Sequence, residues 1–147
     1  MMTLAWTLTH QLTPGMRISH TPTRILIVDD QDQVREGLAT FLAAFNDLKL
    51  VGSAADGEEA VALCLDVKPD VVLLDLAMPH MNGVDTTRAV RQVCPHAAII
   101  VLTGYGHKEM IRAALQAGAV ASLPKNVPAE ELASTIRTAR QGQTNRA

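Results

Sequence analysis

Three runs of apolar and β-branched residues punctuate the chain, and each is closed by an abrupt change of chemistry. Arg24-Ile25-Leu26-Ile27-Val28 ends on Asp29-Asp30, Val71-Val72-Leu73-Leu74 ends on Asp75, and Ala98 to Leu102 ends on Thr103-Gly104. Because the runs lack polar alternation, they predict strands covered on both faces, as in a parallel sheet. Leu48 to Ala54 reads as a shorter strand, and Val120 to Leu123 as a fifth and weaker one that runs into Pro124-Lys125. Between the runs the apolar positions switch to helical spacing. Val34, Leu38, Phe41, Leu42 and Phe45 predict a helix from Gln33 to about Asn46, with Asp30 or Asp32 as its cap. Ala60, Val61, Leu63, Cys64 and Val67 predict a second helix, ending before Pro69, and Val84 to Val93 a third, closed by Pro95. Met110, Ile111, Ala114 and Leu115 predict a fourth, stopped by Gly118. Pro128 opens the last, with Glu130 and Glu131 at its positive end and Leu132, Ile136 and Ala139 on its inner face.

Strands that alternate with helices require parallel pairing through right-handed crossovers. The fold class expected is α/β, a doubly wound, flavodoxin-like, five-stranded parallel sheet of order 2-1-3-4-5 with five helices. It should occupy residues 24–142. Residues 1–23 show no sustained periodicity and read as a flexible N-terminal tail, and residues 143–147 as the end of a polar tail that begins at Gln141. With that strand order the C-terminal ends of strands one, three and four lie side by side, about 4.8 Å apart. Asp29, Asp30, Asp75 and Thr103 should then meet in one pocket, with Lys125 reaching in from strand five.

Composition narrows the function classes. Of 147 residues 48% are hydrophobic and only 3% aromatic, so the core must be built from Val, Leu, Ile and Ala. A net charge of −2 without clustered Lys and Arg leaves no electrostatic footprint for nucleic acid, and no direct nucleic-acid binding is expected. Cys64 and Cys94 lack the spacing of a redox or metal motif and suit free thiols in a reducing compartment. No apolar run approaches the roughly 18 residues of a membrane helix, so no membrane partner is expected and the cytoplasm is the expected location.

Three carboxylates in one small pocket repel one another unless a cation joins them, and an all-oxygen acidic site suits Mg²⁺. Any one of these acids could merely cap a helix, but their convergence at one sheet edge reads as a site. Asp75 ends the central strand above a loop shaped by Pro79 and Asn82-Gly83, which makes it the best-held nucleophile for aspartyl phosphate chemistry. The Lys125 ammonium and the Thr103 hydroxyl are placed to meet phosphoryl oxygens. Asp56, Asp66, Asp70 and Asp85 are assigned instead to turns, caps or solvated faces.

Ile25-Leu26-Ile27-Val28-Asp29-Asp30, Asp75-Leu76-Ala77-Met78-Pro79 with Asn82-Gly83, Val101-Leu102-Thr103, and Lys125 together resemble the receiver domain of two-component response regulators. Val34-Arg35-Glu36-Gly37-Leu38 is similar to the subfamily whose receivers usually precede a LuxR-type helix-turn-helix domain, and no such domain follows within these 147 residues. The resemblance implies a receiver in phosphorelay signal transduction, with Asp75 as phosphoacceptor from a histidine kinase, a phosphotransfer protein or a small donor such as acetyl phosphate. It implies Mg²⁺ held by Asp30, Asp75 and the Ala77 carbonyl, with Asp29 acting through water, and Thr103 and Lys125 on the phosphoryl group. Such a protein is not an enzyme beyond its own phosphorylation and dephosphorylation. Its output partner is unnamed, and a phosphorylation-dependent homodimer is one form the output could take.

The sequence departs from the family where a Tyr or Phe usually stands three residues before the lysine, a position held by Ser122. Tyr105 is the expected partial substitute for that ring. Pro124 also stands where an apolar residue is usual. Three other readings compete: a haloacid-dehalogenase-type phosphatase, a degenerate receiver that binds a partner without phosphorylation, and the isolated receiver of a DNA-binding regulator. The first needs a second acid two residues after the nucleophile, where this chain has Ala77. The acidic set argues against the second.

Overall fold

The computed structural model describes residues 21–78, 82–104 and 106–146. Five strands, β1 (Thr23–Val28), β2 (Leu48–Ala54), β3 (Val71–Asp75), β4 (Ala98–Thr103) and β5 (Ala121–Pro124), form one sheet in the order β2-β1-β3-β4-β5. Every neighbouring pair is parallel. The five intervening helices are α1 (Asp32–Ala43), α2 (Gly57–Val67), α3 (Gly83–Val93), α4 (Lys108–Ala117) and α5 (Ala129–Arg146). The predicted architecture and strand order are those observed.

Strand alternation divides the apolar runs between two cores. Ile25, Ile27, Val71, Leu73, Ile100 and Leu102 pack against α1 and α5, which contribute Leu42, Leu132 and Ile136. Leu26, Val28, Val72, Leu74, Ile99 and Val101 pack on the opposite face against Ala60 and Cys64 of α2, Val90 of α3 and Ala114 of α4. The central strands are therefore apolar at every position because both of their faces are dry.

Element ends differ from the sequence reading in several places. β1 starts at Thr23, one residue earlier than expected, where the Thr23 amide donates to the Asp47 carbonyl at 2.8 Å. The first helix spans Asp32–Ala43 and stops short of Asn46. Its N-cap is Gln31 with no side-chain cap bond, so neither Asp30 nor Asp32 caps it, because the Asp32 carboxylate pairs with Arg35 instead. The last helix runs to Arg146, through residues expected in a polar tail, since no proline interrupts it and its polar residues have adequate helix propensity. The N-terminal tail up to residue 20 lies outside the described residues. Asp56 caps α2 by accepting from the Glu59 amide at 2.8 Å, and Asn82 caps α3 by accepting from Asp85 at 2.9 Å. Gly118 ends α4 at φ 121°, a backbone state that a side chain would strain.

Candidate functional site

Register builds the site. Val28 pairs with Leu74, so the next residues on each strand, Asp29 and Asp75, emerge side by side at the C-terminal edge. Asp75 in turn pairs with Leu102, and Thr103 pairs with Pro124, which brings Thr103 and Lys125 to the same edge. Alternation decides which way the side chains point. Asp29 and Asp75 continue the α1/α5-facing positions of β1 and β3, and Lys125 continues those of β5 set by Ala121 and Leu123. Thr103 continues the other set, that of Ile99 and Val101.

Asp29 and Asp75 are each only 2% exposed, whereas Asp30 projects from the connection into solvent. One carboxylate oxygen from each of Asp29, Asp30 and Asp75 falls within 4.8 Å of the others. The Lys125 ammonium lies 3.2 Å from Asp29 Oδ2 and 3.2 Å from Asp75 Oδ2. Backbone amides hold the remaining oxygens: Gln31 donates to Asp29 Oδ1 at 2.9 Å and Ala77 donates to Asp75 Oδ1 at 3.1 Å. Burial pushes the Asp29 carboxyl above its ordinary value; the Gln31 amide pulls it back, repulsion from Asp75 adds to the rise, and Lys125 offsets part of it. For Lys125, burial of the ammonium pulls downward, but Asp75 and then Asp29 outweigh it and hold the pKa above its ordinary value.

The structure thus brings together Asp29, Asp30, Asp75 and Lys125. Ala77 joins the site through its amide. The buried Thr103 hydroxyl donates to the Gly104 carbonyl at 3.3 Å, turned toward its own loop. Ser122 is half-buried on β5 opposite Val101, on the same face as Thr103 and two residues behind it. Tyr105 and Pro79 lie outside the described residues. Sequence reasoning missed Arg35, whose guanidinium reaches back from α1 to the Asp29 carbonyl at 2.6 Å. The three-residue spacing of Asp32 and Arg35 was the available signal, but it suggests only a surface pair.

A divalent cation fits this donor set. The donors are hard carboxylate oxygens without sulfur or imidazole, their 4.8 Å span is about twice the 2.1 Å Mg²⁺–oxygen distance, and the Lys125 ammonium pairs with only two of the three carboxylates.

The response regulator receiver domain profile matches residues 25–137, and the chain belongs to this family. The transcriptional regulatory protein LiaR of Bacillus subtilis is 39% identical over 120 residues, covering 82% of this chain and 57% of LiaR. YhcZ of the same organism is 45% identical over 112 residues, covering 76% of this chain and 52% of YhcZ. This chain therefore spans little more than half the length of these curated relatives. Among solved structures, the signal receiver domain of the response regulator NarL from Mycobacterium tuberculosis superposes with a TM-score of 0.78 at 30% identity, covering 83% of this chain and 98% of that one. A LuxR-family two-component response regulator from Aurantimonas sp. SI85-9A1 gives 0.77 at 32% identity, covering 83% and 87%. The chain is a receiver of two-component signalling and matches the LuxR-linked subfamily.

Proposed function

We propose that Asp75 accepts a phosphoryl group and that the resulting acyl phosphate switches an interaction with an output partner. The observation that carries this reading is the placement of Asp75: a buried carboxylate at the end of the central strand, 3.2 Å from the Lys125 ammonium and beside two further carboxylates. An Asp75 oxygen attacks phosphorus, a P–O bond forms, and the bond to the donor, a phosphohistidine nitrogen or the acyl oxygen of acetyl phosphate, breaks as the donor leaves with its electron pair. Asp30, Asp75 and the Ala77 carbonyl, with Asp29 nearby, would hold Mg²⁺, which when bound offsets the charge of the phosphoryl oxygens.

The protein's own groups divide the remaining work. The Ala77 amide fixes one Asp75 oxygen, which leaves the other as attacking atom. Lys125 leaves its two carboxylates to meet a phosphoryl oxygen, and the Thr103 hydroxyl must turn from Gly104 to do the same. A histidine kinase or a phosphotransfer protein is the proposed donor. A transcriptional output through a DNA-binding partner or domain is supported by the relatives of LuxR type, and homodimerisation on phosphorylation is a second route. In this reading the protein acts on no external substrate, and the four converging charged groups of the acceptor site argue against a purely phosphorylation-independent role.

The test is incubation with acetyl phosphate and Mg²⁺ followed by mass spectrometry. A gain of one phosphoryl group, stable in acid and labile in base, is expected for the parent and not for Asp75→Asn. Undiminished labelling of Asp75→Asn would overturn the assignment.

A further inference from the structure

Asp30, the most exposed of the three acids, sits in a connection of only three residues, 29–31, between β1 and α1. That connection is pinned at two points. The Gln31 amide donates to Asp29 Oδ1 at 2.9 Å, and Arg35 Nη1 donates to the Asp29 carbonyl at 2.6 Å. Arg35 also donates through Nη2 to Asp32, and its own amide donates to the Gln31 carbonyl at 3.1 Å. Arg35 is thereby bonded to the residues on both sides of Asp30.

The exposures show which of these bonds places the guanidinium. The Arg35 side chain is 20% exposed, but its carboxylate partner Asp32 is 81% exposed, and an ion pair that open to water contributes little. A surface pair alone gives no reason to tuck an arginine against the sheet edge. The Asp29 carbonyl does, because a charged donor to a partly buried carbonyl is among the stronger hydrogen bonds. Electrostatics alone would argue the other way, since a guanidinium beside a cation site repels the cation. Arg35 therefore earns its place there by geometry.

We infer that Arg35 is a positioning residue for the cation site: by clamping the Asp29 carbonyl it holds the β1–α1 connection in the shape that presents Asp29 and Asp30 together, and so sets the affinity for Mg²⁺. The inference rests on the Mg²⁺ reading above. Outer groups that orient ligands typically change metal affinity by roughly tenfold or more when removed. This clamp acts through one carbonyl, and a loss of roughly three- to tenfold is expected.

Calorimetric titration of MgCl₂ into the full chain tests it, alongside thermal unfolding in EDTA and the rate of labelling by acetyl phosphate. Arg35→Lys keeps the charge and loses the fork, while Arg35→Met loses both. Both should weaken Mg²⁺ binding three- to tenfold, and saturating Mg²⁺ should restore the labelling rate. Asp32→Asn, which cuts only the exposed pair, should stay within twofold of the parent. Variants that bind Mg²⁺ as tightly as the parent while melting earlier would make Arg35 merely structural and overturn the inference. Tighter binding by Arg35→Met would overturn it in favour of simple charge repulsion. A parent that takes up no Mg²⁺ would overturn the metal reading itself, and the inference with it.

Discussion

The Lys125 ammonium stands 3.2 Å from the Asp75 carboxylate and at the same distance from Asp29, so a single cation joins the ends of two adjacent strands. Without it, two carboxylates that are each 2% exposed would face one another with no counter-charge. Removing one partner of a buried pair costs far more than the pair contributes, because the other charge is stranded.

Lys125→Met is accordingly expected to destabilise the metal-free protein by about 1–3 kcal/mol, a figure below that for fully buried pairs because Lys125 is partly exposed. Urea unfolding in EDTA measures it. Adding Asp75→Asn to Lys125→Met should recover part of the loss, since the stranded charge is then gone. A double variant whose losses simply add would show that the two groups are not coupled.

Gly83 supplies a second prediction. A Cβ on this residue would stand 2.4 Å from Leu76 Cα and 2.8 Å from the Asp75 carbonyl oxygen. Backbone cannot yield as a side-chain tip can, so Gly83→Ala must push α3 away from β3, at a cost of about 2–3 kcal/mol. The Gly83 amide also donates to the Leu76 carbonyl at 2.9 Å, so the displacement reaches the residue after the proposed acceptor. Chemical denaturation and acetyl phosphate labelling should both be impaired. A variant as stable as the parent would contradict the close approach.

The third prediction concerns acid. Arg137 donates to Asp47 at 2.7 and 3.0 Å, tying α5 to the start of β2, and its guanidinium lies 5.4 Å from the Phe45 ring centroid. The hydrogen bonds from Arg137 hold the Asp47 carboxyl below its ordinary value of 3.8. A depressed carboxyl contributes stability that is complete above the unfolded value and fades as pH falls through the folded one. The pair is largely exposed, so Asp47→Asn should cost at most about 0.5 kcal/mol at pH 7. That difference from the parent should shrink as the pH drops below 3.8. A gap in urea midpoints that stays constant down to pH 3 would assign the effect to something other than this carboxylate.

The fourth concerns output. Thr103 and Ser122 share a face of the sheet, with Ser122 two residues behind, and a serine offers no ring to move when the Thr103 hydroxyl turns. A phosphoryl group biases only an element that prefers different arrangements in its two states. Beryllofluoride should therefore shift amide NMR signals near Asp75 and Thr103 more than those of residues 120–137, and Ser122→Tyr should extend the response toward β5 and α5. Largest shifts in the parent already at residues 120–137 would show that the ring is dispensable.

Two physical rules made most of this protein readable in one dimension. A run that is apolar at every position has to be covered on both faces, so Ile25 to Val28, Val71 to Leu74 and Ala98 to Leu102 had to be central strands. Side-chain alternation then carries Asp29, Asp75 and Lys125 to one face of one edge. The charges of the site were legible because they interrupt that apolar pattern, and the motifs they form named the family.

What the tertiary structure alone decided are relationships between elements that have no period in the sequence. Gln33 to Asn46 has the spacing of a helix, but the ends of α1 were set by the Asp32–Arg35 pair and by the turn that brings Asp47 to Thr23. Thr103 was placed at the right edge, yet only the loop geometry turned its hydroxyl to Gly104. Gly83 reads as a turn residue, and its real constraint is the press of α3 on the Leu76 backbone. Arg35 reads as half of a surface ion pair, and only the folded connection shows its guanidinium on the Asp29 carbonyl. For Thr103, Gly83 and Arg35 the deciding partner is a backbone atom whose position follows from packing, and packing is written in no single residue.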